Sequence, residues 1–119
     1  RVTLNAASAP ETWSLDAPRI AQVLTNLLEN ALQSSPDGSP VELTASVQGQ
    51  QLEIEVRDHG SGIPKGEEQR IFEPFHTTRV RGVGLGLFVA RRIVQLHHGS
   101  IAAKNASDGG AVFTLRIPR

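Results

Sequence analysis

The 119-residue chain contains no cysteine and no methionine, and it carries no net charge, with Lys+Arg 12 set against Asp+Glu 12. Without cysteine there are no disulfides, thiolate metal sites or thiol nucleophiles. Neutrality argues against a broad surface for nucleic acid or an acidic membrane. Apolar runs are broken by Asn, Glu or Arg well short of the roughly 18 residues that a membrane span needs. No charged-then-apolar leader precedes the first strand-like segment. With no initiator methionine, the chain reads as a piece excised from a longer protein. What is present is ordinary for one compact domain: 39% hydrophobic residues and 11 glycines, enough for a single sizeable core. Ten of the twelve basic residues are arginine, whose fork suits phosphate oxygens, and Arg79, Arg81, Arg91 and Arg92 lie close together.

Alternation of apolar and polar residues over Val2–Ala6 predicts a short opening strand. Asp16 is placed to cap a helix with Pro18 in its first turn, and Ile20, Val23, Leu24, Leu27, Leu28, Ala31 and Leu32 continue it to about Ser34. Val41–Val47 and Leu52–Val56 alternate around Gln48-Gly49-Gln50, a hairpin pattern. A Gly- and Pro-rich centre follows, with at most a short helix near Glu67–Phe72. A second helix is expected from about Leu85 to His98, with Gly99 at its C′ position. Ile101–Ala103 and Val112–Ile117 form a last hairpin turning at Asp108-Gly109-Gly110. Strands neighbouring one another between two helices favour an α/β sandwich with a mostly mixed or antiparallel sheet.

Three elements carry possible chemistry. Asn26, Asn30 and Gln33, at i, i+4 and i+7, share one helix stripe and present amides to whatever lies beside it. Asp58-His59-Gly60-Ser61-Gly62 follows a strand. An ionised Asp only accepts hydrogen bonds, which suits the amine of adenine and repels the carbonyl of guanine, and the glycines admit a flat ligand. Gly82-Val83-Gly84-Leu85-Gly86-Leu87 opens the second helix, where free backbone N–H groups attract anions. It is neither a dinucleotide fingerprint, since position 87 is Leu, nor a P-loop, since neither Lys65 nor Lys104 follows the required glycines. Each element alone admits a plainer reading: polar residues on an exposed helix, an ordinary turn, a chance Gly repeat.

Their order does not. "QVLTNLLENALQSSP", "RDHGSGIP", "IFEPFHTTR" and "GVGLGLFVARRIVQLHHGSI" together resemble the N, G1, F and G2 boxes of the ATP-binding catalytic domain of sensor histidine kinases, over about Asp16 to Pro118. That family belongs to the GHKL superfamily with gyrase and the heat-shock chaperone ATPases. The resemblance implies the Bergerat-type ATP-binding fold, a two-layer α/β sandwich with a mixed sheet covered on one face by helices, and a single domain over 1–119. It implies Mg²⁺ on Asn30 and ATP as cofactor, with Asp58 on the adenine amine, Gly60 and Gly62 clearing space, and Ile63 packing on the ring. It further implies a lid of Thr77, Thr78, Arg79 and Arg81 after Phe75, short as in nitrogen-regulation-type kinases, then Gly82, Val83, Gly84, Leu85, Gly86 and Leu87 around the phosphates.

The sequence departs from the pattern at three positions. Asn26 stands where ATPases of the superfamily carry the glutamate that activates water. Gln33 stands where Lys is commonest, and Val112 where many relatives place a Thr near the adenine. Glu29, about 100° round the helix from Asn30, should face solvent or at most neighbour the metal through water. None of His59, His76, His97 or His98 precedes an acidic residue, as phospho-accepting histidines usually do, and His97 and His98 diverge too far to share a metal.

The implied activity is a protein-histidine kinase that supplies the γ-phosphate to a histidine on a separate dimerisation domain of the same protein, which passes it to a response regulator. No residue of this chain is assigned as catalytic, and the isolated piece should not phosphorylate itself. It should be a cytoplasmic monomer, touching neither nucleic acid nor membrane, whether or not its parent is a membrane sensor. A stand-alone serine kinase or ATPase, and a nucleotide-sensing module without transfer, are the alternatives.

Overall fold

The structure is a computed structural model that describes residues 2–8 (backbone only), 15–36, 38–74 and 86–118. The element order is β1 (Val2–Ser8), α1 (Ala17–Ser34), β2 (Val41–Gln48), β3 (Gln51–Arg57), a 3-10 turn (Arg70–Phe72), α2 (Gly86–Leu96), β4 (Ser100–Asn105) and β5 (Ala111–Pro118). Among the described residues the sheet has the strand order β1-β2-β3-β5-β4, with β1 parallel to β2 and every other pair antiparallel. The helices pack together over one face, which gives the expected mixed sheet in a two-layer sandwich. No described helix is long and apolar enough to cross a membrane.

Register explains which face they cover. Leu43, Val56, Phe113 and Ala103 line up across β2, β3, β5 and β4, as do Ala45, Ile54, Leu115 and Ile101. Strand alternation sends both rows to the helix side. The row between them carries Thr44, Glu55 and Thr114 on the other face, and the rows that flank the pair carry Glu42 with Arg57 and Glu53 with Arg116, where Arg116 Nε donates to Glu53 Oε2 at 2.9 Å. Each fully buried Leu, Ile, Val or Phe contributes about 1.5–3 kcal/mol, so these rows and their helix partners dominate the stability.

The local signals hold at the start of α1. Asp16 Oδ1 accepts the Arg19 N–H at 3.2 Å, and a proline occupies the first turn, where its missing N–H costs nothing. Ile20, Val23, Leu27 and Ala31 are buried against the sheet and α2. Leu24 and Leu28 are only half-buried and Leu32 is 44% exposed, so the helix buries a narrower stripe than its sequence offers. Glu29 is exposed.

The end of α2 differs from the sequence expectation. The residue with left-handed backbone is His98 (φ 61), and not Gly99. His98 N–H donates to the Gln95 carbonyl and Gly99 N–H to the Val94 carbonyl, the paired bonds of a Schellman cap with His98 at C′. Gly99 is needed for another reason: a Cβ there would overlap the Arg116 carbonyl of β5. A non-glycine in this region costs roughly 1–2 kcal/mol, partly offset by the chain entropy that glycine loses. His98→Gly is therefore expected to raise stability by about 1 kcal/mol, measured as a higher urea midpoint at unchanged slope. A midpoint that stays put would count against a backbone penalty here.

His97 ties this cap to the start of α1. Its Nε2 accepts the Asp16 N–H at 3.0 Å, so Nδ1 carries the proton and donates to the Ile93 carbonyl at 2.9 Å. One ring thus satisfies the amide of the residue that caps α1 and a carbonyl near the end of α2.

Candidate functional site

β3 ends at Arg57, and the next residue becomes the floor of a cavity of about 320 Å³ between the helices and the sheet. Asp58 is 2% exposed. Its N–H still donates to the Ala111 carbonyl, extending the β3–β5 ladder by one rung. Its Oδ1 accepts two backbone N–H groups, from Gly60 at 2.9 Å and from Ala111 at 3.0 Å. Among the described residues both side-chain bonds fall on Oδ1, so Oδ2 is the oxygen left for the cavity. The packing needs glycine beside it. Gly110 has φ +82, and a Cβ there would overlap the Asp58 carbonyl, while a Cβ on Gly60 would overlap the Ser34 carbonyl.

Three groups of residues build the wall. Asn30, Gln33 and Ser34 come from one side of α1. Asp58, Ser61, Gly62, Ile63, Pro64, Glu67 and Ile71 follow β3, and Leu87, Ala111 and Phe113 come from α2 and β5. One half of the wall is apolar, through Ile63, Ile71, Leu87 and Phe113. The other half presents amides and hydroxyls. Glu67 is paired with Arg70 at 2.9 Å. Asn30, although polar, is only 8% exposed within α1, which places a carboxamide in the wall where a helix would otherwise bury an apolar residue.

Of the residues singled out from sequence, Asn30, Gln33, Asp58, Gly62, Ile63 and Leu87 line the cavity, and Asn26, Gly60 and Gly86 do not. Asn26 Nδ2 donates to the Gly86 carbonyl at 3.0 Å, joining α1 to the first residue of α2. Gly60 supports the floor through its bond to Asp58. Phe75, Thr77, Thr78, Arg79, Arg81, Gly82, Val83, Gly84 and Leu85 lie outside the described residues.

The strand residues on the cavity are Ala111 and Phe113; Val112, the position expected near an adenine, alternates to the opposite side of β5. That alternation was available in the sequence once the register of β5 was known. The sequence alone does not mark Ser34, Ser61, Pro64, Glu67, Ile71, Ala111 or Phe113 as lining residues, because nothing local marks a helix end, an irregular loop or a strand face as a wall.

Beyond the rim, Arg57 pairs with Asp108 in the β4–β5 turn. The Asp108 carboxyl is held below the usual carboxylate range by its own backbone N–H and then by the Arg57 guanidinium. A lowered carboxylate stabilises the fold above its unfolded pKa and loses that contribution as pH falls through the folded one. The carboxylate is fully exposed, so screening keeps the effect small.

Comparison with known proteins narrows what such a cavity is for. Residues 15–119 match the family described as histidine kinase-, DNA gyrase B- and HSP90-like ATPase. The chain is 41% identical over 119 residues to sensor protein KdpD of Escherichia coli K12, covering 94% of this chain and 13% of that protein. It is 43% identical over 106 residues to the alginate biosynthesis sensor protein KinB of Pseudomonas aeruginosa, covering 87% of this chain and 18% of that protein. The chain thus spans less than a fifth of these relatives. Among solved structures, the mycobacterial sensor histidine kinase MprB superposes with a TM-score of 0.85 at 26% identity, covering 98% of this chain and 81% of that one. Full-length ShkA in complex with AMPPNP gives a TM-score of 0.86 at 30% identity, covering 98% and 25%. The buried carboxylate, the amide-bearing helix face and these matches together place the chain in the family of histidine kinase-, DNA gyrase B- and HSP90-like ATPases, among the ATP-binding catalytic domains of sensor histidine kinases.

Proposed function

We propose that this domain binds Mg·ATP in the cavity and supplies the γ-phosphate to a histidine on a dimerisation domain of its parent protein, which then serves a response regulator. The observation that carries the reading is the Asp58 carboxylate, with one oxygen held by two backbone amides and the other left for a donor. An adenine amine is such a donor, whereas guanine presents an oxygen there. Ile63, Ile71, Leu87 and Phe113 supply apolar area for the base. ThkA, a histidine kinase similar to this chain at 30% identity, has been solved in complex with the response regulator TrrA, which supports the same kind of partner here.

The donor set fits Mg²⁺. The Asn30 carboxamide is a hard oxygen ligand in the wall, and the Glu67 carboxylate is paired with Arg70. One protein oxygen, with phosphates and water completing the shell, is how Mg²⁺ is usually held on nucleotides. When bound, the ion neutralises phosphate charge. The chain's own residues do the rest: Asp58 and Ile63 fix the base, and Gln33 donates toward the phosphates. By the motif resemblance alone, Arg79 and Arg81 would add charge, Phe75, Thr77 and Thr78 would belong to the same segment, and Gly82 to Leu87 would offer backbone amides. Gly60 and Asn26 act indirectly, one by holding the Asp58 carboxylate and the other by holding the start of α2. Phosphoryl transfer of this kind rests on positioning and electrostatics. Asn26 cannot take a proton from water as a glutamate at that position would, so release of free phosphate should be slow. ATP and a response regulator both belong in the cytoplasm, and we place the domain there.

Mg·ATP is expected to raise the melting temperature of the chain and Mg·GTP to leave it unchanged. At a hundredfold excess over Kd the stabilisation is about 2.7 kcal/mol. Labelled ATP should leave no phosphate on the chain itself. Equal shifts with both nucleotides would sink the adenine site, and steady self-labelling would sink the need for a separate acceptor domain.

A further inference from the structure

Asn105, the last residue of β4, is exposed as a whole, yet its carboxamide is committed to one residue of the cavity wall. Its Oδ1 accepts the Ile63 N–H at 2.6 Å, and its Nδ2 donates to the Ile63 carbonyl at 2.9 Å. A primary amide used in this way imitates a strand neighbour, offering one acceptor and one donor side by side. Ile63 lies in an irregular loop, so the side chain supplies what no ladder does, and the loop's main-chain groups stay paired as they are buried.

Two independent features are built around the same clasp. Gly62 has φ +81, and a Cβ there would come within 2.6 Å of Asn105 Oδ1, so the amide occupies the space that glycine leaves. Asn105 is also the register partner of Ala111, whose N–H binds Asp58 Oδ1. The last rung of the β4–β5 hairpin therefore holds both the apolar wall, through Asn105, and the carboxylate floor, through Ala111.

We propose that Asn105 is a positioning residue for recognition of the base: it fixes Ile63 relative to Asp58 so that wall and carboxylate meet one ring system together. The proposal rests on the adenine-site reading above. It gives the amide a role apart from nucleotide contact, since Asn105 does not line the cavity.

The test combines Mg·ATP titration calorimetry with amide exchange by NMR on this chain. Asn105→Ala should weaken Mg·ATP binding about tenfold, the effect of roughly one to two net hydrogen bonds. The Ile63 amide should lose its protection while that of Ile54, in the middle of β3, keeps it. Asn105→Asp keeps the shape and the acceptor but sets an oxygen against the Ile63 carbonyl, so at neutral pH it should bind at least as poorly. Binding within twofold of wild type for either variant would overturn the proposal, as would protection lost at Ile54 together with Ile63, which marks general destabilisation. A wild-type chain that does not bind Mg·ATP would overturn the adenine site itself, and this inference with it.

Discussion

Asp58→Asn is expected to weaken Mg·ATP binding about 10- to 150-fold, the loss of a hydrogen bond to a charged group, while leaving the fold intact. The direction of the new amide is dictated by its surroundings. Gly60 and Ala111 N–H both point at Oδ1, so the oxygen must stay there and the NH₂ must take the place of Oδ2. Two donors then face each other across the adenine amine. A guanine oxygen would instead find a donor, so the ratio of GTP to ATP affinity should rise. Asp58→Ala is the blunter variant, because it also leaves two backbone amides without their acceptor, at about 1–3 kcal/mol each where they are buried. Calorimetry with both nucleotides, beside urea melts, separates the effects. Unchanged ATP affinity in Asp58→Asn would mean that Oδ2 does not meet the base.

The second large effect is expected in the core behind the cavity. Phe72 is 1% exposed and meets Phe113 edge to face, with ring centroids 6.1 Å apart at 78°. The Arg91 guanidinium of α2 stands 5.5 Å from the centre of the Phe72 ring. Phe72→Ala should therefore cost about 3–5 kcal/mol, transfer and cavity terms together. That is a large part of the 5–15 kcal/mol by which a domain is usually stable. Because Phe113 lines the cavity, loss of its partner should also lower Mg·ATP affinity. Urea denaturation with and without nucleotide reads both. A loss below about 1 kcal/mol would show that the site refills from its neighbours. Phe72→Leu, which keeps much of the volume, should recover most of the stability.

Phe72 also shows where sequence reading stops. The sequence puts Phe72 at the end of a short helix near Glu67–Phe72 and assigns Phe75 to the site, with nothing local to mark Phe72 as core. A 3-10 turn makes Phe72 a core residue, because it drops the ring between β5 and α2. The register of β5 has a similar lesson. A hairpin turning at Gly109-Gly110 is visible in the sequence, but whether Ala111 or Val112 meets the cavity depends on which residue of β3 it pairs with, and a shift of one position exchanges the faces. Glycine is the usual C′ residue, which points to Gly99 in the sequence, whereas the cap is made by His98 and Gly99 answers to the nearness of β5.

Elements whose signals are short in range follow from residue type and spacing. The Asp16 cap, the helical stripe from Ile20, the two hairpins and the order of the four motifs all rest on spacings of two to four residues, or on residue type. Tertiary structure alone decided the contacts between distant residues. Asp58 finds the Ala111 amide 53 positions away, Asn105 clasps Ile63 at 42, Asn26 holds Gly86 at 60, and His97 reaches Asp16 at 81. A local period cannot encode such partners, because each pair forms only once the sheet has closed and fixed the height of one loop against another. The motifs name the groups proposed to meet a nucleotide, and the closed sheet makes Asp58 a buried, oriented acceptor.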